Sequence, residues 1–148
     1  MFDRMAILLL ASGLSTRFGP DDKLLASLGG KPVISYAANA LASHPVGWRV
    51  AVVGAKQAER RRIVEARGFH VALNLAPDEG QGRSLAIGLK HVRETTDANS
   101  LLVLLGDMPF IPDEHLVQLA KPLAEGASAV MSEADGILSP PAMFPQST

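Results

Sequence analysis

The sequence predicts an α/β fold: a three-layer architecture built on a mostly parallel sheet. Three observations carry this. Short apolar runs alternate along the chain with stretches of helical periodicity. The run Leu101–Leu105 (LLVLL) lacks polar alternation, as expected of a strand buried on both faces. The strand–helix order then repeats to the end, which favours parallel pairing with helices packed on both sides.

The elements follow in order. Met5–Leu10 is the first strand, followed by a glycine- and hydroxyl-containing loop that runs to Lys23. Gly29-Gly30-Lys31 is a turn into a helix over Pro32–Ala42, with Val33, Ala37 and Ala40 or Leu41 on one face. Trp48–Gly54 is a strand closed by glycine. Gln57–Arg67 is a helix whose Glu59, Arg60, Arg61 and Arg62 read as a solvated outer face, and Gly68 ends it. Phe69–Leu73 is a strand, and Gly82–Arg93 a helix with Leu85, Leu89 and Val92 on one stripe. Leu101–Leu105 is the next strand. Pro112–Leu123 is a helix that opens on proline, with Asp113 and Glu114 complementing its dipole. Ala127–Met131 is the last clear strand, and 139–148 reads as loop or edge strand. The whole chain, 1–148, is read as one domain.

Composition narrows the function. A formal net charge of −1 favours neither nucleic acid nor an anionic membrane as partner. The apolar run from Met5 to Ala11 is far shorter than the roughly 20 residues of a membrane-spanning helix. With Asp3 beside Arg4 and no small-residue cleavage site after it, it reads as a strand rather than a signal peptide. The absence of cysteine excludes disulfides, thiolate catalysis and Cys-based zinc sites, and suits a cytoplasmic protein.

In sheets of this type ligands bind beyond the carboxyl ends of the strands, where the strand order switches. Three segments lie there: Ala11–Lys23, Asn74–Ser84 and Gly106–Pro109. The first places glycines, hydroxyls, Arg17 and Lys23 in one connection. Glycine lets backbone N–H groups approach phosphate oxygens, and the two cations offset phosphoryl charge. The segment matches neither the GxxxxGK[ST] loop nor the GxGxxG fingerprint. Asp107, just past a buried strand, fits a Mg²⁺ ligand or a turn-former. In the second segment Gly80 and Gly82 permit close approach, and Gln81 and Ser84 could bond a base or ribose; from the letters alone a flexible turn with Gly82 or Arg83 near the helix cap is the better fit. His44, His70, His91 and His115 are scattered without ligand spacing. No Ser-His-Asp arrangement and no general base is visible. That suits transfer to an acceptor already ionised, since a phosphate monoester carries about 1.5–2 negative charges near pH 7.

These residues resemble a family. Leu9 to Gly19 with Asp22-Lys23-Leu24-Leu25 is similar to the LAAGxSxRFGxxKLL signature of the MobA-like NTP transferases. Gly30–Val33, Gly82–Leu89 and Leu105–Phe110 (LGDMPF) resemble its later motifs in the same order. The Phe-Gly and Lys-Leu-Leu spelling looks most like the molybdopterin cytidylyltransferases. The resemblance implies a Rossmann-like nucleotidyltransferase fold and transfer of CMP from CTP to the phosphate of a small-molecule acceptor such as molybdopterin, with release of pyrophosphate. It implies Mg²⁺ on Asp107. Ala11, Gly13, Ser15 and Thr16 would line the nucleotide loop. Arg17 and Lys23 would hold the triphosphate, and Gly82 and Ser84 would lie beside base and ribose. A molybdoenzyme is the implied client. The family pattern continues past a Pro-x-x-Phe strand, here Pro141–Phe144, to a second acidic ligand and part of the acceptor site. This chain ends short of that, leaving Glu133 and Asp135 as candidates by position. Two other readings stay open: a guanylyl- or sugar- or polyol-phosphate nucleotidyltransferase, and a nucleotide-binding module without catalysis.

Overall fold

The computed structural model describes residues 2–13, 22–77, 80–108, 111–126, 130–134 and 137–145. Its main sheet has six strands in the order β5-β4-β1-β6-β8-β7. These are β1 (Met5–Leu10), β4 (Trp48–Gly54), β5 (His70–Asn74), β6 (Ser100–Leu105), β7 (Val130–Ala134) and β8 (Ile137–Pro145). β5, β4, β1 and β6 are parallel, and β8 runs antiparallel to both its neighbours. The central strands are the uniformly apolar ones. All six residues of β1 are buried, because the strand has neighbours on both sides and helices on both faces.

The two faces divide β1 by parity. Met5, Ile7 and Leu9 join Ile34 of α1 (Val33–Ala38), Val64 of α2 (Ala58–Glu65) and Leu116 of α4 (Asp113–Ala124). Ala6, Leu8 and Leu10 join Val50, Val52 and Val92, the last from α3 (Gln81–Thr95), on the opposite face. Helices on both faces make the predicted three layers. α3 sits close to the sheet: a Cβ on Gly88 would lie 2.5 Å from Leu8 Cδ1, so a side chain there would force Leu8 to shift. Beside α3 an apolar cleft of about 340 Å³ lies between Leu85, Leu89 and Arg93 on the helix and Leu101, Val103 and Phe144 on the strands. No helix among the described residues is long and apolar enough to cross a membrane.

Three expectations need correction. The helix expected over Pro32–Ala42 is Val33–Ala38. Leu41 takes a positive φ of 54°, and its neighbourhood is held by short turn bonds, such as Ala42 N to the Asn39 carbonyl, together with side chains. Arg49 donates to the carbonyls of Ala40 and Leu41 (2.9 and 2.7 Å), and Asp113 accepts from Leu41 N. The helix is entered through a small hairpin, β2 (Ser27–Leu28) and β3 (Lys31–Pro32), whose turn uses Gly29 and Gly30 at φ 62° and 85°.

The strand expected over Ala127–Met131 is Val130–Ala134, and residues 127–129, where its start was expected, lie outside the described residues. The tail expected as loop or edge is a nine-residue interior strand, β8. Its prolines hid it, since proline cannot donate to a ladder. The pairing accommodates them. Ala142 pairs with Met131 and Ser139 with Ser132, so Pro140 and Pro141 fall in the register shift between. There Ser132 Oγ donates to the Pro141 carbonyl (3.1 Å), and His115 of α4 bonds the same hydroxyl (2.7 Å).

Candidate functional site

The chain moves outward from β1 to β4 and β5, then crosses back to β6 on the other side of β1. The switch in strand order therefore falls at the carboxyl end of β1. Pairing continues past the strands there: Ala11 N donates to Val52 O and Gly106 N to Leu10 O, both at 2.9 Å. The loops after β1 and β6 thus start side by side. A 3-10 turn, Lys23–Leu25, closes over them, with Leu24 buried. A Cβ on Gly106 would lie 3.1 Å from Leu24 Cδ1 and 3.3 Å from Ala11 Cβ. Lys23 precedes Leu24 and Asp107 follows Gly106 in the chain, and both are exposed.

At the carboxyl end of β1 lies a buried polar cluster. The Ser12 and Ser84 hydroxyls hydrogen-bond each other, and Asn74 Nδ2 donates to both, at 3.2 and 3.1 Å. Asn74 Oδ1 in turn accepts from Ala76 N. The ends of β1 and β5 and the first turn of α3 are joined at one point. All three side chains are buried, so leaving any of them unbonded would be costly.

The side facing α2 is held by a guanidinium. Arg60, 2% exposed, donates from one terminal nitrogen to the Ala11 and Gly13 carbonyls, both at 2.8 Å. Its other two nitrogens bond the two oxygens of Asp22, again at 2.8 Å. Gln57 Nε2 takes the Ser12 carbonyl between them (3.2 Å). Burial would raise the Asp22 carboxyl. The bonds and charge of Arg60, with the N–H groups of Leu24 and Leu25, outweigh it and hold Asp22 below its ordinary value.

The model of the MobA-like NTP transferase domain matches residues 7–148. This chain belongs to that family. It is 32% identical over 129 residues to the bifunctional protein GlmU of Bordetella petrii, covering 86% of this chain and 28% of that protein. The chain spans less than a third of the curated relatives it matches. Among solved structures it is similar to a nucleotidyl transferase from Methanothermobacter thermautotroptrophicus (TM-score 0.75, 20% identity, 97% of this chain and 72% of that one). It is also similar to Rv0371c from Mycobacterium tuberculosis H37Rv (TM-score 0.77, 17% identity, 99% and 73%). Those likenesses establish a shared fold. Rv0371c also has a structure in complex with manganese.

The NTP transferase signature residues are distributed unevenly. Ala11 is buried at the end of β1, Gly13 is exposed, and Lys23 and Asp107 adjoin the two residues of the Leu24–Gly106 contact. Gly82 lies exposed in the first turn of α3. Ser84 faces inward, with its hydroxyl bonded to Ser12 and Asn74. Ser15, Thr16, Arg17 and Asp135 lie outside the described residues. Glu133 sits in β7, paired with Leu138.

Sequence reasoning misread Arg60 as a solvated face residue. The signal was present, since Arg60 stands three and four residues before Ile63 and Val64, the buried face of α2. Ser12, which stands where the signature has its second alanine, joins Ser84 and Asn74 in the buried cluster. Gln57 and Asn74 carried no distinguishing signal.

Proposed function

We propose that this chain carries the nucleotide site of a nucleotidyltransferase. It would move a nucleoside monophosphate from an NTP, with CTP the first candidate, to a phosphate-bearing acceptor and release pyrophosphate. One observation carries the reading: Lys23 and Asp107 adjoin the two residues of the Leu24–Gly106 contact at the strand-order switch, on a chain of the MobA-like NTP transferase family. Lys23, with Arg17, would hold the triphosphate, and Ala11, Gly13, Ser15 and Thr16 would line it. Gly82 would let backbone approach the nucleoside, and Ser84 would support that approach from below.

Asp107 fits a divalent cation that arrives with the substrate. Among the described residues no three His, Asp or Glu side chains form a metal-holding group. Mg²⁺ commonly takes one or two protein carboxylates and completes its shell with phosphate and water. When bound, it offsets charge on the triphosphate. An anionic acceptor needs no protein base, so positioning and charge stabilisation suffice. A molybdopterin-type phosphate, later passed to a molybdoenzyme in the cytoplasm, meets that requirement.

The test is pyrophosphate release from CTP, GTP, UTP and ATP with Mg²⁺ and three acceptors: a molybdopterin, a sugar phosphate and a polyol phosphate. Release with CTP and the pterin supports the reading in full. Release with another pair reassigns the substrates. Tight NTP binding without release makes this a binding module.

A further inference from the structure

We infer that Arg60 is a positioning residue for the triphosphate loop, holding both ends of the Ala11–Lys23 connection on one buried guanidinium and so fixing where Lys23 stands. The inference rests on the nucleotidyltransferase reading above. One end of the connection is held through the Ala11 and Gly13 carbonyls, the other through both oxygens of Asp22. Asp22 passes the constraint on. Its Oδ1 accepts from Leu24 N at 2.9 Å and caps the turn that begins with Lys23. Leu24 is buried under Gly106, and Ala26 N donates to the Lys23 carbonyl. Leu25 N donates to the Asp22 carbonyl as well, so the backbone is bonded on each side of the Lys23 Cα.

A second consequence concerns charge. Backbone carbonyl oxygens repel phosphate. Arg60 and Gln57 between them bond three consecutive carbonyls, those of Ala11, Ser12 and Gly13. These oxygens are thereby committed to the α2 side of the loop. A helix residue with a plain packing role would need none of this. A buried cation is tolerated only when its bonds are made, so Ala11, Gly13 and Asp22 must all stand where they do for Arg60 to be buried as it is.

The test compares Asp22→Asn, Arg60→Lys and Arg60→Met with the wild-type chain. The exposed pair variant Glu59→Gln serves as a control. Asp22→Asn keeps shape and part of the bonding and is the variant expected to fold. Three quantities are read: thermal midpoint, Mg-CTP affinity with KM and kcat, and amide exchange at Gly13 and Leu24. We expect Asp22→Asn and Arg60→Lys to weaken nucleotide binding by about ten- to a hundredfold, as small misplacements at a site do. Exchange at Gly13 and Leu24 should quicken in both. Combining the two should add little, because either one opens the same latch. Variants that lower the midpoint but keep wild-type affinity and KM would reduce Arg60 to packing and overturn the inference. If the wild-type chain binds no NTP, the functional reading fails instead. Amide exchange then decides alone whether the latch holds the loop, and unchanged exchange in Asp22→Asn overturns it.

Discussion

The hydroxyls of Ser12 and Ser84, 72 residues apart in sequence, hydrogen-bond each other at the carboxyl end of β1, and Asn74 donates to both. Removing either hydroxyl leaves buried polar groups short of a partner. Ser84→Ala should therefore destabilise the chain by roughly 1–3 kcal/mol, measured by urea unfolding. The double variant Ser12→Ala/Ser84→Ala should cost less than the sum of the singles, with a coupling of about 0.5–3 kcal/mol. Additive losses would show that the two hydroxyls act independently.

Gly88 offers a test of the layer spacing. Leu8, fully buried, lies where a new methyl would go. Gly88→Ala gains helix propensity, yet the overlap should win and the net cost should be about 1–3 kcal/mol. A variant as stable as the wild type would mean that α3 can lift from β1 at no expense.

Acid should act on Asp22. Its folded pKa lies below the ordinary value of 3.8, so the unfolded chain takes up the proton first as pH falls. The stabilisation is complete above the ordinary value and is lost as pH drops through the folded one, below about pH 4. Urea midpoints from about pH 6 to about pH 3 should fall less steeply for Asp22→Asn than for the wild type. Parallel curves would remove Asp22 from the acid response.

Lys23 and Asp107 are exposed, so replacing them should spare the fold. Lys23→Ala and Asp107→Ala should each lower transfer by about 10²–10³, the scale of losing one electrostatic contact at a reacting phosphate. Their unfolding free energies should stay within about 0.5 kcal/mol of wild type. Normal rates in both would mean that the reacting phosphates lie elsewhere.

How much was readable in the sequence depends on what each residue's neighbours reveal. β1 and the Leu101–Leu105 run of β6 stood out because a strand buried on both faces is apolar without alternation. β8 did not, because Pro140 and Pro141 argue against an interior strand until the register shift that houses them is seen. The two ends of the site, Ala11–Gly13 and Gly106–Asp107, were visible as loops after strong strands. The support between them was hidden, since Arg60 and Asp22 meet only once α2 packs beside the loop. A charged letter in a run of charged letters looks solvated, and only its spacing from Ile63 and Val64 suggests otherwise.

The central claim is transfer of a nucleoside monophosphate at the loop edge of this sheet. CTP labelled at the α-phosphorus, supplied with Mg²⁺ and a molybdopterin phosphate acceptor, tests it most directly. The label should move into the pterin product while unlabelled pyrophosphate is released, and Lys23→Ala should slow both together. Label that stays in CTP, or appears only as free CMP, would contradict it.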